Sequence, residues 1–200
     1  MSTAADAAAF EACIAGGGVA VFGADTVYGL ACDPESRAAI ERLYALKGRA
    51  PDKPSAVMFF DAALAVAALP ELGARTRALM ERLLPGGLTL LLPNPRGRFP
   101  LAGAGALGLR VPDVPALREV RVPVLQSSAN AAGAADARRL ADVPEAIRAG
   151  ADLVLDAGEL PGTPSTVIDL RRFEAAGEWE LVRAGAVDSE AVARAVAATA

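Results

Sequence analysis

Residues 166–182 read TVIDLRRFEAAGEWELV, and this stretch decides what kind of sheet the chain builds. Thr166–Leu170 and Trp179–Val182 carry the β-branched and aromatic residues that strands favour. They are joined without a helix, whereas parallel neighbours need a crossover. Upstream, strands alternate with helices for most of the length. The expectation is one α/β domain with a mixed parallel and antiparallel sheet.

Working outward, Val19–Phe22 and Leu88–Leu92 are continuous apolar runs, the pattern of strands buried on both faces. Ala56–Phe60, Leu107–Val111, Val122–Gln126 and Leu153–Leu155 complete the strands. Ala4–Ala15 reads as an Ala-rich helix stopped by Gly16-Gly17-Gly18. A second helix opens at Asp33-Pro34-Glu35-Ser36, capped by Ser36 or Asp33, and ends at Lys47-Gly48. Its apolar stripe is Ile40, Leu43, Tyr44 and Leu46. Asp61 caps a short helix to Leu69, and Ala74–Leu84 is amphipathic. Asp113–Val120 holds Pro115 in its first turn, Asp142–Arg148 forms another helix, and Asp188 caps the last.

The chain of 200 residues has 20 basic and 24 acidic side chains, a net charge of −4. That balance weighs against nonspecific nucleic-acid binding. With no His in the sequence, Ser-His-Asp and Cys-His catalysis and imidazole metal sites are excluded. Cys13 and Cys32 are too few for a four-thiolate zinc site and are not a CxxC pair, so they read as buried or half-buried thiols. No dedicated metal site is expected. The N-terminus lacks a basic start and no apolar run reaches about 18 residues, so a soluble cytoplasmic protein without membrane association is expected.

Gly103-Ala104-Gly105-Ala106-Leu107-Gly108 fits GxGxxG in letters. It precedes a strand, though, instead of linking a strand to a helix, so no dinucleotide site is read there. Gly23–Leu30 (GADTVYGL) follows a buried strand, either lining a cleft or forming a strand-to-helix turn capped by Asp25. Lys47, Arg49 and Lys53 place three cations in one short loop pinned by Gly48, Pro51 and Pro54. Concentrated cations in a rigid loop suit phosphate and carboxylate ligands. Arg110 lies inside an apolar strand and must be paired if buried. Ser128-Ala129-Asn130, Pro164-Ser165-Thr166 and Arg183-Ala184-Gly185 cluster at strand ends, where ligand clefts form in α/β sheets.

In order and spacing, Asp25–Leu30, Lys47-Gly48-Arg49, Pro85–Thr89, Arg110-Val111-Pro112, Ser128-Ala129-Asn130, Pro164–Val167 and Arg183-Ala184-Gly185 resemble the YrdC-like family, the threonylcarbamoyl-AMP synthases. The resemblance covers about Gly16 to Val187, the core of a single domain over 1–200 with no additional C-terminal domain. It implies a twisted α/β fold around a large electropositive cavity. It also implies that L-threonine, bicarbonate and ATP give L-threonylcarbamoyl-AMP and pyrophosphate, which serves the t6A modification of tRNA through a downstream transferase. By the same resemblance, bicarbonate and phosphate contacts fall on Lys47 and Arg49, with Lys53 in support. Threonine contacts fall on Arg110 and Ser165, and nucleotide contacts on Ser128, Asn130 and Arg183. Thr26 and Tyr28 line the cavity wall, and Mg²⁺ arrives with ATP.

The chemistry needs no protein nucleophile and no imidazole, only cations and hydroxyls that gather and orient anions. One departure stands out. Ala24 occupies the place of a family Thr that helps hold the amino acid, which points to weaker threonine binding or a different amino-acid substrate. Two alternatives follow: a paralogue acting on another carbamoyl or adenylate acceptor, and an RNA-binding module, double-stranded RNA included, without catalysis.

Overall fold

The computed structural model describes residues 3–50, 53–103 and 105–199. Pro51 of the cationic loop and Ala104 of the glycine-rich run lie outside them. Nine strands form one mixed sheet: β1 (Ala20–Gly23), β2 (Tyr28–Cys32), β3 (Ala56–Met58), β4 (Leu88–Pro93), β5 (Ala106–Arg110), β6 (Val124–Ser128), β7 (Leu153–Val154), β8 (Thr166–Asp169) and β9 (Glu180–Arg183). Their order across the sheet is β7-β1-β2-β6-β3-β5-β4-β8-β9. Parallel pairs β1–β7, β3–β5 and β4–β8 stand among five antiparallel ones, so the mixed sheet expected from residues 166–182 is present.

Seven helices accompany the strands among the described residues: α1 (Thr3–Ala15), α2 (Arg37–Lys47), α3 (Ala62–Ala68), α4 (Ala74–Leu83), α5 (Glu145–Gly150), α6 (Phe173–Ala176) and α7 (Ser189–Ala197). Side chains alternate across the strands, and the sheet therefore supports a core on each face. Val21, Leu30, Val57, Leu90, Leu109, Leu125 and Ile168 join the larger cluster with residues of α2, α4, α5 and α7. Phe22, Ala31, Met58 and Val124 project to the other face and pack with Phe10 and Ile14 of α1. On that second face, Leu91, Ala106, Gly108 and Val167 remain half-exposed. The candidate cleft lies along this open part.

Two local readings are corrected. Gly23–Leu30 is neither a strand-to-helix turn nor capped by Asp25. It is the tip of the β1–β2 hairpin, closed by Ala24 N–H donating to Val27 C=O at 3.2 Å. β2 begins there, paired with β1 and β6, and its YGLAC is buried on every residue without the alternation that marks a half-buried strand. The connection between β8 and β9 also contains the one-turn α6. It is held by fully buried Phe173 and a left-handed Gly177 cap. Glu174 of this turn accepts from Thr76 N–H and Oγ1 at 2.8 Å each, capping α4, whose own cap position is Gly73. Elsewhere, Ser36 caps α2, and Asp113–Val120 contributes only a 3₁₀ turn over Pro115–Leu117.

Candidate active site

A cleft of about 210 Å³ opens on the second sheet face. Arg49, Arg110, Ser128, Ser165 and Arg183, which the sequence selects from five separate stretches, all line it. Val27, Thr89 and Ser127, which lie in or beside those motifs without an assigned contact, share the lining with Gln126 and Asp136, which the sequence did not single out. Asp136 is the one carboxylate among these lining residues, which include three arginines.

Arg110 ends β5 and is 4% exposed. Its Nη2 donates to Asp25 Oδ1 at 2.8 Å and to Thr26 Oγ1 at 3.2 Å. The expected partner of a buried arginine is thus Asp25, carried in by the hairpin tip. Burial lowers the pKa of Arg110, and Asp25 opposes that shift. Its Nε is buried without a partner. A guanidinium has five N–H donors, and Arg110 is among the residues that line the cleft.

Arg49 follows the left-handed Gly48 cap of α2. Its Nη2 donates to Pro54 C=O at 2.7 Å, its Cζ lies 5.7 Å from the Tyr44 ring centroid, and its Nε is buried without a partner. Arg183 on β9 donates through Nη2 to Ser165 C=O at 2.7 Å and Ser165 Oγ at 3.2 Å. Ser165 Oγ also lies 2.7 Å from Thr89 Oγ1. Gly185 permits this arrangement, since a Cβ there would collide with the backbone of Pro164 and Ser165.

Lys47 is placed differently from the expectation of direct anion contact. It is 4% exposed and absent from the cleft lining. Its Nζ donates to Ser128 C=O, to Asn130 C=O at 2.8 Å and to Asn130 Oδ1 at 2.9 Å. All three ammonium protons are engaged. Asn130 likewise turns inward, accepting from Ser128 Oγ at 2.6 Å and donating to Ala134 C=O at 2.6 Å. These two residues hold the turn after β6 that presents Ser128. Burial first, then neighbouring Arg49, lowers the Lys47 pKa to about 8, with Asp136 opposing.

Tyr28 is also off the cleft. Its hydroxyl donates to Asp156 Oδ1 at 2.8 Å and accepts from Ala157 N–H at 2.9 Å. Burial, then Asp156, pushes its pKa up to about 12. β2 alternation points Tyr28 to the larger core, opposite the cleft. Thr26 lines a neighbouring hollow with Asp25, Thr163 and Ala186. Lys53 is exposed and does not line the cleft. The Ala24 methyl is buried in the cluster of Phe22 and Phe60, so it packs instead of facing a ligand. Cys32 is buried and Cys13 half-buried, both as free thiols.

A family model described as "Telomere recombination", named for Sua5, YciO and YrdC, matches residues 12–185. The chain belongs to the Sua5/YciO/YrdC family. A Chromohalobacter salexigens relative named threonylcarbamoyl-AMP synthase is 37% identical over 166 residues, covering 79% of this chain and 89% of its own. Pyrococcus abyssi Sua5, solved in complex with L-threonine, is 27% identical with a TM-score of 0.83. That match covers 98% of this Sua5/YciO/YrdC chain but 58% of the Pyrococcus one, so the chain spans little over half the length of that relative. Escherichia coli YciO shares the fold, with a TM-score of 0.75 at 24% identity over 94% of this chain and 92% of its own.

Among the described residues, no group of three or more His, Cys, Asp or Glu side chains is arranged to hold a metal. No helix among them is long and apolar enough to cross a membrane.

Proposed function

We propose that this chain is a nucleotidyltransferase that makes L-threonylcarbamoyl-AMP from L-threonine, bicarbonate and ATP. The convergence of Arg49, Arg110 and Arg183 on one cleft carries this reading. The threonine nitrogen adds to the bicarbonate carbon, and loss of water leaves an N-carboxylate. An oxygen of that carboxylate attacks the α-phosphorus of ATP, and pyrophosphate leaves with the broken bond's electrons. Each reactant is an anion or becomes one. The protein's work is therefore to neutralise and align them.

Arg110 receives the threonine carboxylate beside Ser165. Arg49 meets bicarbonate and the phosphates, and Arg183 reaches the nucleotide by exchanging its bond to Ser165 C=O. Ser128 reaches a phosphate oxygen by exchanging its bond to Asn130 Oδ1, on the turn that Lys47 and Asn130 hold. Mg²⁺ enters as part of the ATP substrate. The adenylate then passes to a separate transferase that modifies tRNA. The cytoplasm holds all these reactants.

Relatives named threonylcarbamoyl-AMP synthase support the reading. Its test is pyrophosphate release with each of the three substrates omitted in turn. Release that needs all three is expected. Release without an amino acid, or with a different one preferred, would favour a paralogue with another acceptor. Tight binding of double-stranded RNA with no release at all would favour the RNA-binding module.

A further inference from the structure

Arg49 comes to the cleft along a path that one residue of α2 controls. Gly48 is the left-handed cap of that helix, and the chain reverses there in a Schellman turn. Arg49 N–H donates to Tyr44 C=O at 2.9 Å, and Gly48 N–H to Ala45 C=O at 3.1 Å. The turn brings Arg49 back to Tyr44, whose ring centroid is 5.7 Å from the guanidinium Cζ. That distance lies within cation–π range. The Tyr44 hydroxyl is within hydrogen-bond distance of Lys53 C=O, at 3.2 Å, and of Ser55 Oγ, at 3.0 Å. These two residues flank Pro54, whose C=O accepts from Arg49 Nη2. Tyr44 therefore meets the backbone of Arg49, its side chain and both neighbours of its anchor.

In the apolar stripe of α2, Tyr44 reads as core, and it is 5% exposed within the larger cluster. Filling a core needs no hydroxyl, however, and a buried phenol must find a partner for its own. Here the partners are on the cationic loop. Tyr44 itself is not among the residues that line the cleft, whereas Arg49, Pro54 and Ser55 are. Any effect it has on a ligand passes through them. An arginine side chain has much rotamer freedom to lose, and one bond at Nη2 leaves part of it. A ring beside the guanidinium removes more before the ligand arrives, which is preorganisation. The groups named here are neutral, unlike the Asp25 carboxylate that pairs with Arg110. They fix Arg49 without offsetting its charge.

We infer that Tyr44 is a positioning residue that holds the Arg49 guanidinium in place for the anionic substrates. The inference rests on the reaction proposed above, in which Arg49 meets bicarbonate and the phosphates.

The experiment is a double-mutant cycle on Tyr44→Leu and Arg49→Ala, read by calorimetric titration of ATP and by pyrophosphate release. Arg49→Ala weakens ATP binding by about tenfold or more, and Tyr44→Leu by about fivefold. Added to Arg49→Ala, Tyr44→Leu costs less than about twofold further, since the residue it positions is gone. Tyr44→Phe keeps the ring and the turn, and it holds ATP affinity within about threefold of wild type. L-Threonine affinity stays within about threefold in every variant, a change that general unfolding would exceed. Tyr44→Met takes the place of Tyr44→Leu should the latter fold poorly. Losses that multiply in the double variant overturn the inference. So does threonine affinity that falls in step with ATP affinity, or ATP affinity indifferent to Arg49→Ala. A coupled loss of ATP affinity in a protein that releases no pyrophosphate would leave this assignment standing and remove the proposed chemistry.

Discussion

Lys47 and Arg110 are equally buried cations, at 4% exposure each, and they have opposite fates. Lys47 spends all three protons on Ser128 and Asn130 and fixes a turn. Arg110 gives Nη2 to Asp25 and Thr26 and keeps Nε without a partner beside the cleft. A motif can mark both positions by charge. In the function proposed above, the cation with every donor spent builds the site and the one that lines the cleft meets the ligand.

The comparison breaks most visibly in stability. Arg110→Met strands Asp25, which has 10% side-chain exposure, and removing one partner of a buried pair costs about 3–5 kcal/mol. Urea unfolding measures this, and a loss within the noise would mean that the pair is not formed. Lys47→Met leaves three acceptors of one turn without their donor, a loss of about 2–3 kcal/mol by the same measurement.

The Lys47 pair of proteins also has a pH signature. The native pKa of about 8 lies below the ordinary 10.5. Between those values the unfolded chain holds a proton that the native chain has released, so stability rises with pH. The margin of wild type over Lys47→Met should grow by at most about 1.4 kcal/mol per pH unit in that window and stay flat below it. A margin that shrinks above pH 8 would reverse the assigned shift.

Ala24→Thr sharpens the contrast between cleft and core. The new hydroxyl enters the Phe22–Phe60 cluster, and an unpaired hydroxyl there costs about 1–3 kcal/mol. The threonine KM should not change, contrary to what the sequence position implies. Arg49→Ala comes last in stability, at about 1 kcal/mol for one bond to Pro54 C=O. Its effect falls on chemistry instead, with pyrophosphate release reduced by about 100-fold or more. A melting temperature that collapses while release persists would make Arg49 structural.

Much of the fold was legible because buried strands such as Leu88–Leu92 announce themselves as apolar runs between turn residues. β2 was not, since YGLAC is short, small and buried throughout, and its identity depends on pairing with β1 and β6. α6 escaped for a related reason. Four residues hold no helical period, and the turn is stabilised by Glu174 reaching Thr76. In the cleft, Arg49, Arg110 and Arg183 could be picked by type and setting, because charge within apolar surroundings is conspicuous. Gln126 and Thr89 carry no such signal, and Tyr28 shows why adjacency to a motif does not give direction. Strand alternation turns its ring to the larger core.

The most direct test of the account compares L-threonine titrations of Arg110→Lys and Lys47→Met with wild type by calorimetry. Arg110→Lys keeps the charge but loses the fork. It should weaken threonine binding by about tenfold or more while the protein stays folded. Lys47→Met should lower the melting temperature and hold threonine within about threefold of wild type. Threonine affinity lost through Lys47→Met and untouched by Arg110→Lys would contradict the division of labour between the two cations.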